Sequence, residues 1–162
     1  MKMVDVGAKD RTERIAVATC RVRMKPQTLE LIRKGKVEKG NVIEAAKLAA
    51  IMAAKRTPDI VPLCHPIALT SVSVDVEPVT VGVEIRVEVK TVERTGVEME
   101  ALTAASAAAL TVYDMLKSQD RGMVIEKLQL EHKSGGRTGV WDRTGGGRSR
   151  RAKSTRQGGQ AG

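Results

Sequence analysis

Three segments of the chain alternate apolar and polar residues with a period of two, the pattern of a β-strand with one face buried. They are residues 13–24, 71–76 and 81–92. One face of the first segment is apolar and comprises Ala16, Ala18, Cys20, Val22 and Met24. Arg14, Arg21 and Arg23 lie near or on its other face. The alternation therefore predicts three half-buried strands, the last two joined as a hairpin.

Two helices are predicted between the first and second strands. Residues 29–34 form the shorter one, which Gly35 ends as glycine commonly does. Asn41 and Glu44 make a capping-box-like start for the longer one. Its broad apolar face comprises Val42, Ile43, Ala46, Leu48, Ala49, Ile51 and Met52. Residues 57–66 then hold three prolines, which predict a stiff extended loop rather than a helix or a central strand.

The longest predicted helix runs from Thr95 to about Gln119. Its residues 101–109 are mostly small, so its backbone must lie close to the sheet or to a like helix of another subunit. A last strand is predicted from Met123 to about His132. The order strand, two helices, two strands, helix, strand matches a β-α-β-β-α-β arrangement with one crossover doubled. We therefore predict an α+β fold, a ferredoxin-like antiparallel sheet packed with helices in the order β-α-α-β-β-α-β.

The charge is concentrated at one end of the chain. Of the formal net charge of +9, six basic residues and no acid lie in residues 143–162. We assign residues 1–142 to a single folded domain. The Gly/Ser/Arg-rich tail 143–162 is predicted to be disordered, because it has too little apolar surface to order itself. Either a solvated extension or a contact with nucleic acid or another acidic partner fits such a tail.

The cellular location is predicted from the cysteines and the apolar segments. Cys20 and Cys64 lie in different contexts and are interpreted as free thiols, since a secreted disulfide scaffold would normally hold more cysteines. Asp5 interrupts the amino-terminal segment before an apolar signal region can develop. Residues 101–112 are too short an apolar run to span a bilayer. A soluble cytoplasmic protein without a membrane partner is expected.

The start of the third helix carries two glutamates with different expected roles. Thr95 and Glu98 form a predicted capping box, in which the carboxylate of Glu98 folds back on the amide of Thr95. Glu100 lies past the capping position, beside Met99, at a helix amino terminus that favours anions. A solvated surface glutamate is the alternative interpretation of Glu100.

The end of the same helix carries a candidate proton-transfer pair. Asp114 lies fourteen positions after Glu100, so at about 100° per residue both side chains project from roughly the same side. Lys117 follows one turn later. An Asp with a Lys at i+3 is most often a surface pair. The pairing also suits acid/base chemistry, because each charge tunes the pKa of the other.

Two further side chains are candidates for a functional role, one titratable in a rigid loop and one cationic at a helix start. His65 lies between Pro62 and Pro66, which would present its imidazole rigidly. The neighbouring Cys64 raises the possibility of zinc, but neither CxxC nor HxxxH spacing occurs, so no metal site is predicted. Lys39 precedes the second helix, where its ammonium and the free amides would form an anion site. A solvated loop lysine is the alternative.

A glycine-containing segment follows the last strand. Lys133 precedes Ser134-Gly135-Gly136-Arg137, in which the glycines would let backbone amides approach a phosphate while the cations complete the charge. No P-loop motif and no G-x-G-x-x-G after a strand occur, so the signal is weak by itself. Taken together, these candidates favour acid/base chemistry on a phosphorylated small molecule.

Two other classes of function compete with an enzyme. One is an RNA-binding ferredoxin-like module that uses its sheet and its basic tail. Such modules stack bases on aromatic residues of the sheet, and the predicted strands carry no aromatic residue. Nucleic acid is therefore not the expected partner. The other is a structural scaffold subunit whose site is inactive.

Six sequence blocks, taken in order, resemble the MoaC family of molybdenum cofactor biosynthesis, over residues 3–139. The blocks are Lys39-Gly40, Ala54-Lys55-Arg56-Thr57, Pro62-Leu63-Cys64-His65-Pro66, Thr95-Gly96-Val97-Glu98-Met99-Glu100-Ala101-Leu102-Thr103, Tyr113-Asp114-Met115 and Lys133-Ser134-Gly135-Gly136. The resemblance implies a lyase that converts the 3′,8-cyclic dihydro derivative of GTP into cyclic pyranopterin monophosphate with release of diphosphate. It also implies a homohexamer, a trimer of dimers with each site at a dimer interface.

The resemblance further implies roles for individual residues. Those with catalytic roles are Asp114, Lys117, Lys39 and His65. Those expected to bind substrate are Leu63, Cys64, His65, Met99, Glu100, Lys133 and Glu98. The lysines would hold the triphosphate or shuttle protons, and the acidic and imidazole groups would direct ring opening and reclosure. The resemblance leaves the cofactor open, and a divalent cation such as Mg²⁺ is compatible with the departing diphosphate.

Two departures from the family pattern stand out. Asn41 occupies a position where we expect the aspartate of a Lys-Gly-Asp triplet; it caps a helix equally well but removes a charge. The tail after Trp141 has no recognised counterpart in the family.

Overall fold

The computed structural model describes residues 1–143. The elements are β1 (Thr12–Arg23), α1 (Pro26–Arg33), α2 (Val42–Ala54), α3 (Thr57–Ile60), β2 (Ser71–Val79), β3 (Gly82–Glu93), α4 (Glu98–Leu116), β4 (Val124–Ser134) and β5 (Trp141–Asp142). The strands form one open antiparallel sheet in the order β2-β3-β1-β4-β5. Its first four strands have the order of a ferredoxin-like sheet, so the predicted α+β class is confirmed.

The core lies between one face of the sheet and the helices α2 and α4. The alternation in β1 buries Ala16, Ala18, Cys20 and Val22 on that face, and β3 adds Val83, Ile85, Val87 and Val89. Helix α4 packs on β1, β3 and α2. Its fully buried residues are alanines for the most part, including Ala101, Ala104, Ala105 and Ala108. Because alanine has a single methyl group, the helix can lie close to the sheet and to α2, as the small residues predict.

Helix α2 uses a narrower apolar face than the sequence predicts. Its buried residues are Val42, Ala46, Ala50 and Ala54, whereas Leu48 and Met52 are exposed. Leu110 of α4 is exposed as well. A helix that is apolar on most sides can turn only one stripe toward a single neighbouring layer. The helix layer therefore exposes large apolar side chains.

The segment 57–66 differs from its prediction as a loop without helix. Residues Thr57–Ile60 form the short helix α3. Pro58 lies in its first turn, where the missing N–H removes no helical hydrogen bond. The buried hydroxyl of Thr57 donates to the carbonyl oxygen of Ala54 at 3.1 Å. The prolines therefore allow one helical turn at the start of the segment, which the prediction excluded.

Strand β5 is a further element that the sequence did not predict. It has two residues and pairs with β4 through His132↔Asp142 and Lys133↔Trp141. Arg143 follows it and donates from Nε to the carbonyl oxygen of Leu130 at 2.7 Å. From residue 144 onward, the predicted tail lies outside the described residues, and the boundary at residue 142 stays a prediction.

Within residues 1–143, no helix is long and apolar enough to cross a membrane.

Candidate active site

The amino end of α4 differs from the predicted capping box. Val97 is the N-cap residue, and no side chain caps the first turn. The carboxylate of Glu98 lies over Gly96, where a Cβ would displace it, and forms an ion pair with Nζ of Lys133 at 3.2 Å. The prediction that Glu98 folds back on Thr95 is therefore wrong. A strong charge on β4 outweighs a local cap, and Glu98 links α4 to the sheet.

Glu98 and Lys133 border a cavity of about 450 Å³, which we call the basic cavity. It lies between the start of β1, the β3–α4 connection and the segment that follows β4. Its cationic lining residues are Lys9, Arg14, Arg94, Lys133 and Arg137, against two acidic ones, Asp10 and Glu98. The excess of positive charge suits a ligand with several negative charges.

Arg14 is a cavity residue that sequence reasoning placed incorrectly, near or on the outer face of β1. The structure puts it on the inner face, opposite the buried Thr91 of β3. Its Nε atom is buried and has no hydrogen-bond partner among the described residues. A buried unpaired donor costs about 1–3 kcal/mol, so Arg14 is held at the cavity wall at some cost in stability. Counting every second residue from Ala16 would have predicted its face.

The glycines after β4 let Arg14 lie against the main chain. Gly135 has φ +101° and Gly136 has φ +69°, both in the left-handed region. A Cβ atom on Gly136 would overlap the guanidinium of Arg14. Nζ of Lys133 donates to Oγ1 of Thr138 at 2.9 Å and so spans the same turn. The segment that was predicted to approach a phosphate does line the basic cavity.

A second cavity of about 230 Å³, which we call the acidic cavity, adjoins the first. Its lining residues are Leu63, Cys64, His65, Thr95, Gly96, Glu98, Met99 and Glu100. Thr95, Gly96 and Glu98 border both cavities. Six residues that the sequence assigns to substrate binding are thus brought together here, and Lys133 reaches them through Glu98.

Burial controls the ionisation of two groups in the acidic cavity. Glu100 is only 3% exposed. This burial raises the pKa of its carboxyl group, and the negative charge of Glu98 acts in the same direction. Burial also raises the pKa of the Cys64 thiol, helped by the charge of Glu100. Glu100 can therefore keep a proton at a higher pH than an ordinary glutamate, and Cys64 stays a thiol.

The carboxyl end of α4 holds a separate cluster of Lys39, Asp114 and Lys117, which we call the lysine–aspartate cluster. Lys117 Nζ donates to Asp114 Oδ1 at 2.7 Å, and Lys39 Nζ donates to Oδ2 at 2.8 Å. The side chain of Asp114 is 54% exposed. The hydrogen bonds and charges of Lys117 and then Lys39 lower the pKa of Asp114 to about 2. Asp114 is therefore ionised at neutral pH.

The turn before α2 places Lys39 on this cluster. Gly40 has φ +107°, which a side chain would strain. Oδ1 of Asn41 accepts from the amides of Ile43 at 3.1 Å and Glu44 at 3.2 Å. Glu44 itself pairs with Lys47 rather than with the amide of Asn41. Asn41 is thus a one-sided cap, and the return bond of the predicted box is absent.

The two sets of candidate residues do not meet within one chain. Glu100 and Asp114 are fourteen residues apart in α4, which corresponds to about 21 Å at 1.5 Å per residue. The sequence correctly places both residues on one helix, but they lie far apart along the helix axis. Within residues 1–143, no three His, Cys, Asp or Glu side chains gather in a way that could hold a metal ion.

The α+β fold has a basic cavity and a buried acid at one end of α4 and an exposed lysine–aspartate cluster at the other. These are the features of an enzyme that acts on a phosphorylated small molecule. Comparison with known proteins makes the assignment specific. The chain belongs to the MoaC family, whose model matches residues 3–136. The family resemblance seen in the sequence is therefore confirmed.

Three relatives that match most of the chain are each named cyclic pyranopterin monophosphate synthase. The protein of Thermomicrobium roseum is 56% identical over 144 residues, which cover 88% of this chain and 87% of the relative. The Brucella ovis protein is 57% identical over 141 residues, or 86% of each. The Pelotomaculum thermopropionicum protein is 54% identical over 146 residues, or 89% of this chain and 86% of the relative.

Proposed function

We propose that this chain is a lyase that converts the 3′,8-cyclic dihydro derivative of GTP into cyclic pyranopterin monophosphate with release of diphosphate. This is an early step of molybdenum cofactor biosynthesis and involves no redox change. The observation that carries the proposal is the shared wall of the two cavities in a member of the MoaC family. Thr95, Gly96 and Glu98 border both a cation-rich space and a space that holds a buried acid.

The two cavities support a division of labour. The basic cavity binds the phosphates, with Lys133 exchanging Glu98 for a phosphate oxygen and the guanidinium of Arg14 adding positive charge to the wall. Glu100 acts as a proton donor, because its raised pKa keeps the acid form available. His65 shares the acidic cavity and assists ring opening and reclosure. A substrate hydroxyl then attacks the α-phosphate and expels diphosphate.

Asp114 takes an electrostatic role in this scheme. A carboxylate with a pKa of about 2 is a weak base at neutral pH. Its charge instead holds the ammonium groups of Lys39 and Lys117 in place at 2.8 and 2.7 Å. The lysines then contact the substrate or transfer protons, and Asp114 sets their position and charge.

The complete site needs a second subunit. The lysine–aspartate cluster lies about 21 Å along α4 from Glu100, too far for one small substrate. A two-fold axis across α4 would place the carboxyl end of one helix beside the amino end of its partner. The exposed Leu48, Met52 and Leu110 supply apolar surface for such a contact. We assign the chain to a cytoplasmic homohexamer, a trimer of dimers with interfacial sites.

In this scheme, a divalent cation such as Mg²⁺ binds with the phosphates that leave the substrate as diphosphate. Turnover measured across a titration with EDTA and then with added Mg²⁺ tests this point. Loss and recovery of turnover support it, and EDTA-insensitive turnover contradicts it.

Direct turnover tests the function. The full chain is incubated with the cyclic GTP derivative, and diphosphate and pyranopterin product are both quantified. We expect the two products in equal amounts. An intact assembly that forms neither product would identify an inactive scaffold instead.

Mixed oligomers test the shared site. Asp114→Asn and Lys133→Ala are expected to be nearly inactive alone, because each damages one half of every site. In an equal mixture of co-expressed chains, half of the dimers are mixed, and each of these has one intact site. Recovery of about a quarter of the wild-type turnover is therefore expected. No recovery in isolated mixed oligomers would place both halves on one chain.

A further inference from the structure

The amino-terminal residues 4–11, which we call the N-terminal strap, lead into β1 beside the basic cavity. Lys9 and Asp10 line that cavity. The strap makes one tight turn, in which the amide of Lys9 donates to the carbonyl oxygen of Val6 at 3.1 Å. The amide of Gly7 donates to Oδ1 of Asp5 at 2.7 Å. These local bonds shape the strap but do not attach it to the rest of the molecule.

Two arginine contacts attach the strap to the end of β3 and to the connection that follows it. Nη1 of Arg94 donates to the carbonyl oxygen of Gly7 at 2.9 Å. Nη2 of Arg11 pairs with Oε1 of Glu93 at 2.5 Å. Within residues 1–10 only Val6 is partly buried, so apolar packing contributes little to holding the strap. The position of the strap therefore depends on a few polar contacts.

The Arg94 contact is the one that bears on the cavity. Arg94 holds the strap at Gly7, two residues before Lys9, where the sheet gives no support. Arg11 is equally close on the other side, but the chain there already enters β1, which its pairing with β3 holds in place. A Lys side chain loses rotamer freedom when it is fixed, and a mobile backbone adds to that loss. A backbone anchored close to Lys9 lowers the entropy cost of bringing its ammonium to a bound anion.

We infer that Arg94 is a positioning residue that holds the N-terminal strap so that Lys9 completes the cationic wall around the substrate phosphates. The inference rests on the proposed function, because the basic cavity is taken to hold those phosphates. It adds a wall made of the amino-terminal segment to a site otherwise built on β1, β4 and α4.

A double-mutant cycle tests this role. Arg94→Ala and Lys9→Gln are each expected to raise KM about tenfold and to change kcat less than twofold. If Arg94 acts through Lys9, the double variant should resemble Lys9→Gln alone, since the two losses are not additive. Arg94→Lys keeps a donor for the carbonyl of Gly7 and should restore most of the lost affinity. Additive losses, or a fall in kcat at unchanged KM, would overturn the inference.

Arg33→Gln is the matched control. Arg33 is an exposed arginine on α1 whose Nη2 also donates to a main-chain carbonyl, that of Val79, at 3.5 Å. It lies outside both cavities. Its substitution should leave KM and kcat unchanged, and a KM increase equal to that of Arg94→Ala would show a general charge effect that contradicts positioning.

A proteolysis assay separates this inference from the proposed function. Inorganic diphosphate should protect the bonds after Lys9 and Arg11 from trypsin in the wild-type protein but not in Arg94→Ala, with thermal melting showing both proteins folded. Protection without turnover by the wild type would reject the proposed function and keep the inference. Equal protection of the two proteins would reject the inference, whatever the turnover.

Discussion

The two ends of α4 hold their acidic groups in opposite ways. At the amino end, Glu100 is buried, and removal from water raises its pKa. At the carboxyl end, Asp114 is exposed, and two lysines lower its pKa to about 2. Desolvation ties the ionisation of Glu100 to the packing of the core, whereas the lysines control the ionisation of Asp114 through hydrogen bonds and charge. Substitutions at the two ends should therefore separate effects on activity from effects on stability.

The largest expected effect comes from the exposed end. Asp114→Asn should lower kcat about 10²- to 10⁴-fold, because Lys39 and Lys117 lose the charge that holds them. Its melting temperature should change little, since exposed ion pairs contribute little to stability. Glu44→Gln removes a similar exposed pair with Lys47 and is the control. A wild-type kcat in Asp114→Asn would show that the carboxyl end of α4 is not part of the active site.

The second effect joins the two ends, because α4 is packed tightly between them. Ala104→Leu adds volume where the exposure of the residue is zero. Overpacking should lower the free energy of unfolding by about 1–3 kcal/mol and weaken activity at both ends together. Urea denaturation and turnover measure the two quantities on one sample. Unchanged stability would show that unfilled space lies beside the middle of α4.

A smaller effect is expected at the basic cavity. Gly136→Ala should raise KM about tenfold, equal to about 1.4 kcal/mol, because the new Cβ displaces Arg14. Gly139→Ala is the control: Gly139 has a similar φ of +64°, but its Cβ would meet nothing within 4 Å. Both variants bear the cost of a left-handed backbone, so only the displacement of Arg14 differs. Equal KM values for the two variants would remove Arg14 from phosphate binding.

The smallest effect is a change in how stability depends on pH. Because the folded-state pKa of Glu100 is raised above its ordinary 4.5, its contribution to stability is present below that pH and is lost as pH rises through the folded pKa. Glu100→Gln cannot ionise, so its stability relative to wild type should increase as pH rises. Urea midpoints between pH 4 and pH 8 measure this difference. A stability difference that does not change with pH would mean that burial does not control the ionisation of Glu100.

Local patterns predicted the main elements because strand alternation and helix periodicity arise within a few residues. The alternation in residues 13–24 corresponds to β1, and the small residues of 101–109 lie in the close contact of α4 with the sheet. The same local reasoning failed where few residues or competing partners were involved. Strand β5 has only two residues. The carboxylate of Glu98 pairs with Lys133, which is distant in sequence, instead of with the nearby Thr95. No local sequence rule predicts that pairing.

The sequence by itself determined the α+β class, the MoaC family and the set of residues to consider. Periodicity and motif order are properties of the chain and need no coordinates. Only the tertiary structure decided how those residues divide: a buried acid and a basic cavity at one end of α4, and an exposed lysine–aspartate cluster about 21 Å away. The division depends on the length of the helix and on which side chains lose contact with water, and both are set by packing.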